Sequence, residues 1–124
     1  MESNAFLATV KPEISQLLQL DIQNKVVLHS HYMPFIKDGG IFIQTEREFA
    51  FEQRVIMLLR FLDKGKKLPI SGKVVWISPK SGRGSSVAPG VGLQFAGEKR
   101  VEIQKAIESY LGDLAKRPAL HQAY

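Results

Sequence analysis

The sequence contains no cysteine, which excludes disulfides, thiolate catalysis and cysteine-based zinc sites together. It has no arginine before Arg47. Its apolar runs reach five residues, far short of the ~20 that a membrane-spanning helix needs. The opening "MESNAFLATV" carries an early glutamate and no basic stretch ahead of its apolar residues, unlike a secretory signal. These absences predict a cytoplasmic chain with no direct membrane insertion. What is present suits one compact domain: 124 residues, 44% hydrophobic and 23% charged, enough for a real core and too short for two domains.

The net charge of +5 raises a nucleic-acid hypothesis, and its distribution argues against one. Residues 60–83 hold seven cations against one acid, Asp63, a net +6 that leaves the rest of the chain at −1. Most of those cations fall in two loops at the two ends of one long strand. Such a strand separates them by roughly 25–30 Å at ~3.3 Å per residue. Two small basic tips of this kind do not make a continuous groove.

Along the chain, residues 1–13 read as a loose arm and residues 14–117 as one domain. Alternation at Leu18, Leu20 and Ile22 suits a half-buried strand. The next stretch, "NKVVLHSHYMPF", is ambiguous: Val26, Val27 and Leu28 favour strand, whereas Asn24 as an N-cap would start a short helix with Leu28 and Tyr32 on one face. From Gly40 the pattern is β, with "GIFIQT", "QRVIMLLRFL", "LPISGKVVWIS" and "VGLQF" as strands and Gly72 as the expected bulge or bend. Gly65 opens a turn within "DKGKK", and "PKSGRGSSVAPG" is a Gly/Ser/Pro-rich loop. These spacings predict antiparallel neighbours in a meander or barrel. The chain closes with a helix over about 98–117, whose stripe is Ile103, Ile107, Tyr110, Leu111 and Leu114; Gly112 weakens or ends it early, and residues 118–124 read as a disordered tail. Because "VIMLL" and "VVWI" are apolar on both strand faces, either the helix and arm cover the outside or a partner does.

Chemistry-bearing patterns are few. "SGRGSS" and "PISGK" fit neither the spacing nor the strand-to-helix context of a phosphate loop, and "GVG" enters a strand rather than a helix. His29 and His31 would share one face of an extended strand, yet two imidazoles need a third ligand that nothing nearby supplies. No serine has an evident histidine and acid partner. The expectation is a non-enzymatic protein without a cofactor or metal.

The block "YMPFIKDGGIFI", then "GKVVWISPK", then "PGVGLQF" and a terminal helix resemble the PilZ domain, in particular the branch that assembles type IV pili. The resemblance covers roughly residues 14–115. It implies a mainly β fold, a six-stranded antiparallel β-barrel with a C-terminal α-helix, and tips Asn24–Met33 towards a short helix. Many PilZ domains bind cyclic di-GMP through R-x-x-x-R in an N-terminal linker and [D/N]-x-S-x-x-G at a turn into a strand. Guanidinium forks grip phosphate and the guanine edge, and the second motif adds hydrogen bonds and a freely turning backbone. Here the first motif is missing. Aligning the second on Gly40 puts Phe35 in the Asp/Asn place and Lys37 in the Ser place, and a lysine cannot replace a fork. At ~1–3 kcal/mol per lost bidentate contact, two cost roughly 2–6 kcal/mol, or about 1.5 to 4 decades of affinity. No meaningful cyclic di-GMP binding is expected.

The resemblance therefore implies an adaptor for type IV pilus biogenesis and twitching motility. Its implied partners are an EAL-domain cyclic di-GMP receptor scaffold and the ATPase that drives pilus extension. The docking surface is expected to combine His29, Tyr32, Phe35, Ile36 and Trp76, since aromatics dominate interface hot spots. Two rivals remain: a cyclic di-GMP receptor with an atypical site on Lys37 and Lys64–Lys67, and a small-barrel nucleic-acid binder using the basic tips.

Overall fold

The computed structural model describes residues 16–78, 89–119 and 123–124. Among these, the elements run β1 (Leu17–Ile22), α1 (Lys25–His31), β2 (Gly40–Gln44), β3 (Arg54–Phe61), β4 (Lys66–Ser78), β5 (Gly90–Phe95) and α2 (Arg100–Leu111), followed by a 3-10 turn over Gly112–Lys116. The strands form one curled sheet in the order β1-β3-β4-β5-β2, a half-barrel. The expected six-stranded antiparallel barrel is thus corrected to five strands of mixed direction among the described residues. β1 runs parallel to β3, with Leu17 opposite Ile56 and Ile22 opposite Phe61. A parallel neighbour requires a long crossover, and residues 23–53, which contain α1 and β2, provide it.

The ambiguous stretch after β1 is helical because its first turn is capped. Asn24 is extended (φ −162°, ψ 179°), and its Oδ1 accepts the N–H of Val27 at 3.1 Å. Seven residues do not hold a helix alone, so burial of Leu28 and, one turn later, Tyr32 supplies the rest. In the helix, His29 and His31 stand two residues apart and no longer share a face.

β3 alternates cleanly. Val55, Met57, Leu59 and Phe61 face the core, while Ile56 looks outward beside exposed Leu17. The β3–β4 hairpin turns on Gly65 at φ +62°, as the sequence predicts. Gly72 is not the site of the irregularity in β4; the register slips between Val74 and Trp76. Gly72 instead admits close packing, because a Cβ there would lie 3.0 Å from Met57 Cε and 3.2 Å from Leu93 Cβ. α2 covers the concave face with Ile107 and Leu111 buried and Ile103 and Tyr110 packed beside them. Gly112, at φ +60°, ends the α-helix, and the chain tightens into the 3-10 turn. The expected loose arm and the second basic tip lie outside the described residues, as does part of the tail. Ala123 and Tyr124, expected in a disordered tail, are instead hydrogen bonded to α1 and its cap: Ala123 N–H donates to Ser30 O at 3.0 Å, and Tyr124 OH to Tyr32 O at 3.2 Å.

Candidate functional site: an aromatic face beside a pinned turn

The turn at Pro34–Gly39 is held from several sides. Met33 N–H donates to Gly40 O at 2.8 Å, and Gly39 N–H to Ile36 O at 2.8 Å. Phe95 N–H donates to Gly39 O at 3.0 Å, and Gln94 Nε2 to Lys37 O at 2.9 Å. Asp38 sits at φ +66° and pairs with Arg100 at 3.1 Å. Gly39 follows at φ +82°, where a Cβ would press on the Phe95 ring and the Tyr32 hydroxyl. Gly40 is hemmed by Leu93 O and Ile36 Cδ1.

A second small core lies on the outer face of the sheet, apart from the main one. In β2, Ile41 and Ile43 point inward, so Phe42 points outward; it is nevertheless fully buried. Two glycines of β5 make the room. A Cβ at Gly90 would meet Phe42 Cζ at 2.6 Å, and one at Gly92 would meet Trp76 Cβ at 2.7 Å and Met33 Sδ at 2.8 Å. The sequence "GVG" is therefore a slot for side chains from neighbouring segments. Above it stand Phe35 and Trp76, with ring centroids 6.1 Å apart in an edge-on arrangement. Tyr124 joins them, its ring 5.7 Å from Phe35, 5.9 Å from Phe42 and 6.3 Å from Trp76. Phe35 remains 60% exposed and Trp76 40% exposed, so the cluster presents an aromatic surface to solvent. Trp76 Nε1 donates to Ser78 Oγ at 3.1 Å, leaving the indole polar atom satisfied.

Of the five residues expected at a docking surface, Phe35 and Trp76 are brought together there. Ile36 is half-buried and props the turn against Gly40. Tyr32 faces the other way: its ring is buried, and its hydroxyl donates to Glu108 Oε2 on α2 at 2.6 Å. Burial, and then that bond, raise its pKa well above the ordinary value of 10. His29 lies at the edge, with Nε2 donating to Arg117 O at 2.6 Å. His31 Nδ1 donates to Phe42 O at 2.7 Å, and burial lowers its pKa. Both rings are thus committed to backbone carbonyls, and no group of three or more His, Cys, Asp or Glu side chains is placed to hold a metal among the described residues. Tyr124, Phe42 and Met33 were not legible as members of this cluster; the paired glycines of "GVG" were the available signal.

The family model described as PilZ domain matches residues 10–113. The chain belongs to the PilZ domain family. No curated protein matches it. PilZ domains are generally non-enzymatic binding domains, and membership ties the chain to cyclic di-GMP signalling as a receptor or adaptor. In this PilZ domain Phe35, five residues before Gly40, is exposed and leans on Trp76, and Lys37, three residues before it, is exposed as well. Lys37 does not converge with Lys64–Lys67. Its turn leads into Gly40, which sits opposite Gln94 and thereby Lys73, whereas Lys67 is six residues away along β4, about 20 Å at ~3.3 Å per residue. Among the described residues, no helix of the PilZ domain is long and apolar enough to cross a membrane.

Proposed function

We propose that this PilZ domain is a protein–protein adaptor for type IV pilus biogenesis and twitching motility, and that it does not itself bind cyclic di-GMP. The observation that carries the reading is the aromatic face that Phe35, Trp76 and Tyr124 form beside the turn into β2. Phe35 takes the Asp/Asn place and is packed against Trp76 and Tyr124. Phosphate and guanine need convergent donors and acceptors, whereas partly exposed rings packed edge-on or tilted supply desolvated contact area to another protein. The partners are an EAL-domain cyclic di-GMP receptor scaffold and the ATPase that drives pilus extension. The messenger binds the EAL domain, and this chain carries the signal by contact in the cytoplasm.

Calorimetric titration with cyclic di-GMP at low salt tests the negative half, where a flat trace to high micromolar ligand is expected and a saturable isotherm overturns it. The positive half is tested with the two purified partners. Phe35→Ala weakens binding to one of them by about 2 kcal/mol or more, as hot-spot aromatics do. The same change costs about 0.5–1.5 kcal/mol of stability through the ring's contacts with Trp76 and Tyr124, which leaves the domain folded because the ring is mostly exposed. Unchanged partner binding by a folded Phe35→Ala variant refutes the role given to this face.

A further inference from the structure

The basic turn "DKGKK" plays no part in the aromatic face, yet the structure gives it a definite setting. The β3–β4 hairpin brings Lys66 opposite Phe61 and Lys67 opposite Arg60, and Asp63 of the turn is bonded to Tyr110 of α2. Between them lies a cleft of about 410 Å3, lined by Phe61, Leu68, Ala106, Ile107 and Tyr110 and rimmed by Lys64, Lys66 and Lys67. The floor is firm: Phe61 and Ile107 belong to the main core, and the Phe61 and Tyr110 rings meet edge-on at 5.1 Å. Tyr110 is fixed from two directions. Its hydroxyl donates to Asp63 Oδ2 at 2.8 Å, and Lys25 Nζ stands 6.0 Å from its ring centroid.

The charge around the cleft is lopsided. Lys64, Lys66 and Lys67 are exposed and make no ion pair among the described residues, and Lys25 adds a fourth cation beside Tyr110. The acids on this side include Asp63, which is engaged by Tyr110, Asp21, which is paired with Arg60, Glu102, one helical turn before Ala106, and Asp113, three residues after Tyr110. A concave apolar floor beneath unpaired cations selects an occupant that is apolar at one point and anionic around it.

We propose that this cleft is a second docking site, which takes an acidic peptide segment of a protein partner with one apolar side chain seated between the lysines and α2. Size and charge favour a peptide: the small apolar floor holds one side chain between the lysines, and acidic residues on either side of it meet Lys64, Lys66 and Lys67. The site is remote from Phe35 and Trp76, so it stands or falls separately from the aromatic face.

The test is fluorescence anisotropy with a labelled decapeptide carrying one central phenylalanine between glutamates. Saturable binding that weakens as salt rises is expected. The same peptide with serine for phenylalanine binds about tenfold more weakly, the difference that one buried aromatic supplies. Lys66→Glu with Lys67→Glu weakens binding about tenfold or more, since two exposed attractions become repulsions. Ala106→Trp fills the cleft without changing charge and abolishes binding, whereas Phe35→Ala has no effect. Circular dichroism establishes that each variant is folded. Equal affinity for the serine peptide, retention by the charge-reversed variant, or no binding at low salt each overturn the proposal. Binding to vesicles of equal phosphatidylglycerol and phosphatidylcholine without binding to the peptide overturns it in favour of a lipid surface, to which Leu62, 48% exposed on the same turn, would contribute.

Discussion

Tyr32→Phe separates a structural strut from a docking residue. The ring itself stays in place, because phenylalanine keeps the buried apolar volume; only the hydroxyl and its 2.6 Å bond to Glu108 are removed. A hydrogen bond to a charged acceptor contributes ~1.5–3 kcal/mol, and Glu108 is exposed, so water recovers part of the loss and about 1–2 kcal/mol is expected. For a domain of this size that lowers the melting temperature by about 4–8 °C. The bond also sets an alkaline limit. Burial, reinforced by Glu108, holds the Tyr32 pKa well above 10 in the folded chain. Once pH rises past about 10, the unfolded chain releases a proton that the native state retains, so stability falls with pH. Tyr110, pushed up to about 12 by burial and its bond to Asp63, adds to the same slope between 10 and 12. Urea titrations of the wild type, Tyr32→Phe, Glu108→Gln and the double variant, at pH 7 and again above 10, measure both effects. A coupling energy of zero together with an unchanged alkaline slope refutes the reasoning. Partner binding at pH 7 is unaffected by Tyr32→Phe, in contrast to Phe35→Ala.

Gly90→Ala places a methyl 2.5 Å from Ile43 O and 2.6 Å from Phe42 Cζ, where backbone on one side prevents relief. A loss of about 1–3 kcal/mol is expected in urea denaturation, typical of overpacking. Asn24→Ala leaves the Val27 N–H without its cap and costs about 1 kcal/mol, with a matching loss of hydrogen-exchange protection in α1. Tyr124→Ala strips one of the two rings that stand edge-on to the sole tryptophan; Trp76 emission shifts to the red, and about 0.5–1.5 kcal/mol is lost by thermal melting. An unshifted spectrum refutes the packing of Tyr124 on that face.

The strands β2 to β5 and the stripe of α2 were legible because their periodicity reflects a single buried face. Val55, Met57, Leu59 and Phe61 alternate, and Ile107 and Leu111 repeat at helical spacing. The direction of β1 was not legible: its alternation is the same whether it pairs with a parallel or an antiparallel neighbour, and the partner is chosen by the crossover of residues 23–53. α1 was decided by one side chain, Asn24, against the β propensity of Val26 and Val27. For the site, the sequence supplied Phe35 and Trp76, whose exposure follows from a turn and an outward strand position. It misplaced Tyr32, because an aromatic at the end of a helix reads the same whether it turns to solvent or to α2. Tyr124 carried no periodic signal at all. Its place depends on a slot shaped by Gly90 and Gly92, more than thirty residues away.

The parallel pairing of β1 with β3 bears on the order in which the chain assembles. β3 and β4 are joined by a tight turn and can zip locally, and β4 then offers its far edge to β5. β1 has no such shortcut: its ladder forms only after α1, the glycine turn and β2 have been laid down in between, and loop closure over that distance precedes any gain from pairing. The nucleus therefore belongs to β3, β4 and β5, with β1 docking late. In pulse-labelled refolding, amides of β3 and β4 acquire protection first and those of Leu18–Leu20 last. A substitution such as Leu18→Ala then accelerates unfolding while leaving the refolding rate nearly unchanged.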